Sequence, residues 1–115
     1  MPLISWDGVK KETLSKTLSR KVINGENVAL AQVFLAKDAV IPKHQHVSEE
    51  MGCPLEGSAR VITEGKEVTI RKGDVMHIPG DVPHSIVALE DSVILYVFSP
   101  IRQDWLDGKD DYLRR

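Results

Sequence analysis

Three of the four histidines of this chain lie in two short segments, at spacings that suit metal ligation. His44 and His46 are two residues apart, and if residues 43–47 are extended they point to the same face of a strand. Glu50 follows at the same parity and can add a carboxylate, while His84 can close the site from a second strand. Because neutral imidazole binds several transition metals, the pattern predicts a metal site.

Such a site would hold one divalent transition metal and keep one or two coordination positions for water or substrate. The metal would polarise a carbonyl or hydroxyl group, or activate oxygen if it is iron. Iron, manganese, nickel, copper and zinc all fit this ligand set, and metal availability often decides which one a site holds. The sequence therefore predicts the site and leaves the metal open.

Composition narrows the class of protein. The chain has 115 residues, which predicts one domain, and its net charge of −2 with scattered basic residues argues against a nucleic-acid partner. A single cysteine, Cys53, rules out an internal disulfide and fits a reducing compartment. The N-terminus turns polar within a few residues, which argues against a signal peptide or membrane anchor. We expect a soluble, cytoplasmic protein that binds a small molecule.

Short apolar or alternating runs, separated by turn residues, fill most of the sequence. Asn24-Gly25 is a strong hairpin signal between two of these runs. The predicted strands cover residues 20–23, 27–36, 58–63, 67–70, 74–78, 85–89 and 93–98. Strands of this length and spacing predict an all-β sandwich or barrel, which leaves few exposed edges.

Helical structure is predicted only near the two ends of the chain. Residues 9–18 have a mixed pattern that fits a helical turn or an irregular lead-in. Residues 104–106 and 110–115 each predict a short helix, with Gly108 as a breaker between them. We interpret residues 1–115 as a single domain, with a barrel at roughly 20–99 and a tail at 100–115.

Two sequence motifs resemble those of the cupins. His44-x-His46-x3-Glu50-x6-Gly57 resembles the first cupin motif, and Gly73-x5-Pro79-x-Asp81-x2-His84 resembles the second. The resemblance is to small single-domain cupins of the cupin-2, RmlC-like type. It implies a double-stranded β-helix (a jelly-roll barrel), a homodimer, and His44, His46, Glu50 and His84 as the metal ligands.

The motifs depart from the cupin pattern at three positions that ligate no metal. Asp38 and Asp81 stand where glycine is usual, and Ala88 stands where the second motif often ends in asparagine. Aspartate tolerates left-handed backbone angles better than most residues. We therefore expect the turn at Asp81 to survive.

Residues 97–106 resemble the end of the small cupins that act on unsaturated uronates from pectin and alginate. In those enzymes an aspartate, a phenylalanine and an arginine join the metal site. By this resemblance Phe98 and Arg102 bind substrate, and Arg102 is suited to pair with a carboxylate. Tyr96 takes the place of the aspartate, which makes Tyr96 and Arg102 the candidate catalytic residues. Glu50 corresponds to a glutamine of those metal sites.

Several of these residues also have a simpler interpretation. Phe98 shares a strand face with Tyr96 and fits core packing as well as a pocket wall. A buried Tyr96 hydroxyl can orient a ligand or act as a general acid, but it is a poor base at neutral pH. Arg102 can equally be a solvated surface arginine. His77 matches no ligand position, and the odd spacing of Cys53 from Glu50 places it on the opposite strand face, where packing in the interior is expected.

The leading hypothesis is a metal-dependent enzyme of the lyase or isomerase type, acting on a small oxygenated molecule such as a sugar acid (a uronate). This would be a role in sugar metabolism. One alternative is an iron- or copper-dependent dioxygenase that uses the same ligands. Another is a non-catalytic module that binds a metal or a small molecule. Oxygen dependence separates the first two, and recovery of unaltered ligand would identify the third.

Overall fold

The computed structural model describes residues 1–115 and places ten strands in two antiparallel sheets. The strands are β1 (Glu12–Thr13), β2 (Leu18–Asn24), β3 (Ala29–Leu35), β4 (Val40–His44), β5 (Glu49–Glu56), β6 (Ser58–Thr63), β7 (Lys66–Arg71), β8 (Met76–Ile78), β9 (His84–Ala88) and β10 (Ser92–Ser99). One sheet has the order β1-β2-β3-β10-β5-β8, and the other has the order β4-β9-β6-β7. This arrangement confirms the predicted all-β, jelly-roll fold.

Strand alternation explains which residues form the core. In β3 every second residue is buried, from Ala29 to Leu35. β10 alternates in the same way and buries Ile94, while β9 of the other sheet contributes Ile86. Because alternate side chains point inward, any polar residue at this parity is carried into the interior as well.

The hairpin predicted at Asn24-Gly25 joins β2 and β3. The register of this pair runs from Leu18 opposite Leu35 to Asn24 opposite Ala29. The backbone N–H of Gly25 donates a hydrogen bond of 2.7 Å to the carbonyl of Val28, which closes the loop. The hairpin fixes which residues of β2 face inward.

Helical structure is confined to short segments at the two ends. The N-terminal one is a single 3-10 turn, Trp6–Gly8, and residues 9–18 contain no helix but include β1, which pairs with β2. The C-terminal segments are helix α1 (Gln103–Leu106) and a 3-10 turn (Asp111–Leu113), close to the predicted positions. None of these segments has the length and apolar character that crossing a bilayer requires.

The two aspartates at glycine positions of the motifs both adopt left-handed backbone angles. The φ angles of Asp38 and Asp81 are 72° and 60°. The turn at Asp81 therefore survives, as expected from the tolerance of aspartate for this region. The N–H of Asp81 donates a hydrogen bond of 2.7 Å to the carbonyl of His46, so this turn contacts the loop that follows β4.

Candidate metal centre

Two strands and one loop bring the three motif histidines together. His44 ends β4 and lies opposite His84, which begins β9. His46 lies beyond β4, so the extended conformation expected for residues 43–47 holds as strand only as far as His44. One ligand nitrogen from each of the three rings lies within 4.8 Å of those of the other two. The cluster can therefore hold a metal ion.

Hydrogen bonds to the backbone fix the orientation of all three rings. Nδ1 of each histidine lies 2.8 Å from a carbonyl oxygen two residues away in the chain. The carbonyls belong to Pro42 for His44, to Ser48 for His46 and to Val82 for His84. A carbonyl can only accept, so each Nδ1 carries the proton. This leaves the Nε2 lone pairs for a metal, which is how metal-binding histidines are commonly held.

Glu50 places a carboxylate beside two of these nitrogens. Its side chain is buried, and Oε1 lies 2.9 Å from Nε2 of His46 and 3.0 Å from Nε2 of His84. The contact with His46 has hydrogen-bond geometry, which in the metal-free protein requires a second proton on Nε2 of His46 that a metal would replace, whereas Nε2 of His84 has no contact with this geometry. The neighbouring Glu49 is exposed and lies 3.4 Å from His77. Strand alternation thus places Glu50 inward, and its ligation of a metal stays a prediction.

The charge states of these groups suit a divalent cation. Burial lowers the pKa of His44 to about 4, so its imidazole is neutral at pH 7. Burial would raise the pKa of Glu50, but the contacts with His46 and His84 hold it at about 2. Burial would likewise lower the pKa of His84, but the Glu50 carboxylate raises it. A cation bound here would meet imidazole lone pairs and an ionised carboxylate, which are the donors that transition metals prefer.

Tyr96 and Phe98 form part of the inner wall next to the histidines. Both are buried on the same face of β10, and their rings stack with centroids 5.7 Å apart. The Phe98 ring meets His46 edge-on at 5.8 Å. Burial, together with the negative charge of Glu50, raises the pKa of Tyr96 well above its usual value. The phenol is therefore neutral and can donate a hydrogen bond, but it cannot serve as a base near neutral pH.

Arg102 is buried, which rules out the alternative of a solvated surface arginine. Only 3% of the residue is exposed, and its guanidinium lies over the Phe98 ring at 4.9 Å. Nε and Nη2 donate to the two carboxylate oxygens of Asp104 at 2.9 and 2.7 Å. Nη2 also donates to the Tyr112 hydroxyl at 2.6 Å. Two nitrogens suited to a substrate carboxylate are thus paired within the protein.

The C-terminal segment, residues 102–115, closes the cavity over the histidines. The cavity has a volume of about 30 Å³, and Trp105, Tyr112 and Leu113 of this segment line it. The Tyr112 ring stacks on His44, with centroids 4.6 Å apart and planes inclined by 23°. The sequence motifs did not identify Tyr112, because its contact with His44 depends on how the chain returns after β10.

Arg20 is a second cavity residue that the motifs did not reveal. It lies on β2, it is 3% exposed, and it lines the same cavity as His44, Glu50 and Arg102. A signal was present in the sequence, because Arg20 shares its strand parity with the apolar residues Leu18 and Val22. An arginine at an inward position of a strand is uncommon and indicates a buried partner or a ligand.

Other candidate residues lie away from the cluster. Cys53 is half-buried on β5 at the parity opposite to Glu50, and His77 is exposed on β8. Neither residue lines the cavity, in agreement with the interpretation that they match no ligand position.

Sequence comparison identifies the family and two curated relatives. Residues 31–99 match the family model described as a cupin domain (Cupin_2). Dimethylsulfoniopropionate lyase DddW from Ruegeria pomeroyi is 36% identical over 90 residues, which are 74% of this chain and 59% of that protein. Protein MJ1618 from Methanocaldococcus jannaschii is 28% identical over 86 residues, which are 74% of this chain and 66% of that protein. The chain thus spans less than two thirds of either relative.

Solved structures share the same architecture. KdgF from Halomonas sp. superposes with a TM-score of 0.80 at 28% identity, over 86% of this chain and 94% of that one. Bacillus subtilis oxalate decarboxylase, whose Mn(II) centres have been described, has a TM-score of 0.77 at 26% identity, over 88% of this chain and 30% of that one. An RmlC-like cupin from Shewanella frigidimarina, at 22% identity and a TM-score of 0.81, supports the fold alone. With its motifs, its two-sheet barrel and its family match in agreement, this chain belongs to the cupin domain family.

Proposed function

We propose that this protein is a metal-dependent enzyme that acts on a small oxygenated acid, with a uronate as the leading candidate. The observation that carries the proposal is the cluster of three imidazoles beside a cavity that two of them, His44 and His84, line together with a buried arginine, Arg102. The names of two similar proteins support an acidic substrate, because oxalate and dimethylsulfoniopropionate both carry a carboxylate. The resemblance of residues 97–106 to uronate-acting cupins points the same way.

Four side chains would hold one divalent transition metal: His44, His46, His84 and Glu50. When bound, such a metal supplies Lewis-acid polarisation of a hydroxyl or carbonyl oxygen. The protein contributes a fixed tautomer at each histidine, because every Nδ1 is committed to a backbone carbonyl. The ligands are therefore oriented before any metal binds.

The remaining cavity residues would orient the substrate and supply a proton. Tyr96 keeps its phenolic proton near neutral pH and can donate it, or a hydrogen bond, to a developing negative charge. Phe98 gives the cavity an apolar wall that excludes water. Arg102 brings positive charge to the same cavity, and it would receive a substrate carboxylate by exchanging its bond to Asp104.

The size of the cavity limits which acids enter without rearrangement. A volume of about 30 Å³ has room for roughly two water molecules. An acid of two or three carbons already has more non-hydrogen atoms than two water molecules, so even this acid would require some outward movement of the C-terminal segment, and a uronate would require more. The proposal therefore includes displacement of residues 102–115 when a uronate binds.

Assembly and location complete the proposal. We expect a homodimer, since β4 and β7 are open edges of the smaller sheet and carry the exposed side chains Val40 and Val68. Light scattering on the purified protein measures the mass directly, and a monomer across the concentration range would contradict this expectation. A cytoplasmic location agrees with the single cysteine.

The test is turnover by the metal-loaded protein, followed by NMR, with a panel of uronates and two- to four-carbon acids. The same panel is run without oxygen. We expect conversion of at least one acid in both conditions and its loss in an Arg102→Ala variant. Conversion only in the presence of oxygen would favour the dioxygenase alternative. Unaltered acids that nevertheless bind would favour a non-catalytic binding module.

A further inference from the structure

The buried side-chain nitrogens that lack a hydrogen-bond partner all belong to residues lining one cavity. They are Nε and Nη1 of Arg20, Nε2 of His84 and Nε1 of Trp105. Buried polar groups in folded proteins are almost always paired with protein or with a bound molecule. A metal at the histidine cluster accounts for His84. The two nitrogens of Arg20 indicate that the cavity accepts a molecule with additional acceptor oxygens.

Arg20 is held in place by contacts that use only one of its nitrogens. Nη2 donates to Oδ2 of Asp110 at 2.7 Å and lies 3.4 Å from Oε2 of Glu12. The guanidinium lies 4.2 Å from the centre of the Trp105 ring. These contacts orient the group while Nε and Nη1 stay free of protein partners. A guanidinium oriented in this way loses little freedom when it binds a ligand.

Arg20 and Arg102 differ in how many of their side-chain nitrogens remain free to bind a ligand. Arg102 commits both Nε and Nη2 to Asp104, so a substrate carboxylate must displace that side chain. Arg20 offers two unpaired donors without any exchange. Hydrogen bonds from a guanidinium to an ionised acceptor are about twice as strong as those between neutral groups. A carboxylate is therefore the group that Arg20 selects best.

We infer that Arg20 is a specificity-determining residue that binds an oxygen of the ligand's carboxylate through Nε or Nη1, which lie on different edges of the guanidinium. The inference rests on the proposed function, since it assigns the acidic group of the same substrate. It also identifies the substrate class as a small carboxylic acid whose second oxygenated group faces the histidines. Asp110, buried and bound to Nη2, competes with the ligand for the charge of Arg20 and keeps the C-terminal segment in place.

The experiment measures binding of malonate and galacturonate to the whole chain, both as purified and after chelation of metal. Calorimetry gives the affinity, and in a Trp6→Phe background, where Trp105 is the one remaining tryptophan, its fluorescence reports on the cavity because its ring contacts Arg20. The neutral molecules 1,3-propanediol and galactose are the matched controls for the missing carboxylate. We expect saturable binding of at least one acid and none of the neutral molecules.

Variants assign the binding to Arg20. Arg20→Lys keeps a positive charge beside Asp110 but removes the two free donors, and it should weaken acid binding by about tenfold or more. The exposed Arg60 provides the control, because Arg60→Lys should leave binding unchanged. Asp110→Asn removes the competing charge and should strengthen acid binding by several-fold. Unchanged affinity in Arg20→Lys, or no binding of either acid by the wild type, would overturn the inference.

If a variant fails to fold, a crystal structure of the wild type with malonate tests whether Arg20 binds the acid. An acid oxygen within hydrogen-bond distance of Nε or Nη1 of Arg20 supports the inference, and an acid bound elsewhere overturns it. Failure of this inference differs from failure of the proposed function. If Arg20 does not bind the acid, acid binding fails while the metal content is unaffected. If the protein is not an enzyme, turnover fails while the chelated protein still binds the acid.

Discussion

Two residues of the histidine cluster, His44 and His84, line the same cavity as the C-terminal segment, but the cluster and the segment are held in place in different ways. The cluster is held by backbone: His44 and His84 lie on paired strands, and each ring donates to a carbonyl. The C-terminal segment is held against the barrel by side chains, chiefly the pair of Arg20 with Asp110 and the stacking of Tyr112 on His44. Under the proposed function, the barrel would fix the metal ligands, whereas the C-terminal segment would control which molecule reaches them.

The largest effect is expected from breaking the cluster at Glu50. Glu50→Ala removes the carboxylate next to Nε2 of His46 and His84 and should lower metal affinity by roughly 10- to 100-fold. Glu49→Ala is the matched control, because Glu49 is the exposed neighbour on the same strand. Metal titration with a competing chelator measures both. Equal affinities in the two variants would show that Glu50 does not contribute to the site.

Gly80→Ala tests whether backbone packing positions His46. A Cβ at this position would lie 2.5 Å from the carbonyl oxygen of Val47, so the loop after β4 would have to shift. We expect the free energy of unfolding to fall by about 1–3 kcal/mol and metal affinity to fall with it. Gly8→Ala is the control, because a Cβ there meets nothing. A Gly80→Ala protein with wild-type stability and metal affinity would contradict the backbone account.

The pH dependence of stability sharpens the contrast between His44 and His84 in the metal-free protein. The pKa of His44 falls to about 4 on folding, so the unfolded chain binds the extra proton and stability is lost as pH drops from about 6.5 to about 4. The pKa of His84 is raised, so its stabilising contribution is complete below about pH 6.5 and is lost as pH rises through the raised pKa.

Urea unfolding between pH 4 and pH 8 measures these two contributions. Each unit of pKa shift corresponds to about 1.4 kcal/mol. In His44→Gln, the free energy of unfolding should fall less between about pH 6.5 and pH 4 than in the wild type. Its fall above about pH 6.5, which His84 causes, should be unchanged. If the free energy of unfolding of His44→Gln falls as steeply below pH 6.5 as that of the wild type, a group other than His44 causes the loss of stability in acid.

The smallest effect is expected at the C-terminal segment. Tyr112→Phe removes the hydroxyl that accepts from Arg102 but keeps the ring over His44, and it should cost about 0.5–1.5 kcal/mol of stability. Tyr112→Ala should in addition expose the cavity and, in a Trp6→Phe background that leaves Trp105 as the one tryptophan, increase quenching of its fluorescence by acrylamide. Identical quenching in the wild type and Tyr112→Ala would mean that Tyr112 does not cover the cavity.

The sequence was sufficient for the parts of the site that depend on local spacing. His44, His46 and Glu50 lie within one short segment, and the second motif supplies His84. Strand alternation and motif spacing were therefore enough to predict that these residues cluster. The strand considered for residues 43–47 ends at His44, and His46 lies in the following loop, where its carbonyl accepts a hydrogen bond from the N–H of Asp81.

The cover of the cavity depends on contacts between distant parts of the chain, which local patterns do not encode. Arg20 and Asp110 are 90 residues apart in sequence yet form a buried pair. Tyr112 reaches His44 only because the chain returns across the barrel after β10. The short helices of the tail were predictable from Gly108 and the flanking residues, but their position over the histidines was not.

Metal content tests the central claim most directly. Elemental analysis of freshly purified protein should find about one transition metal per chain, and a His44→Ala/His46→Ala variant should lose it. A His77→Ala variant, altered at an exposed histidine outside the cluster, should keep it. A wild type that holds no metal even after reconstitution, or a double variant that keeps the wild-type amount, would contradict the account.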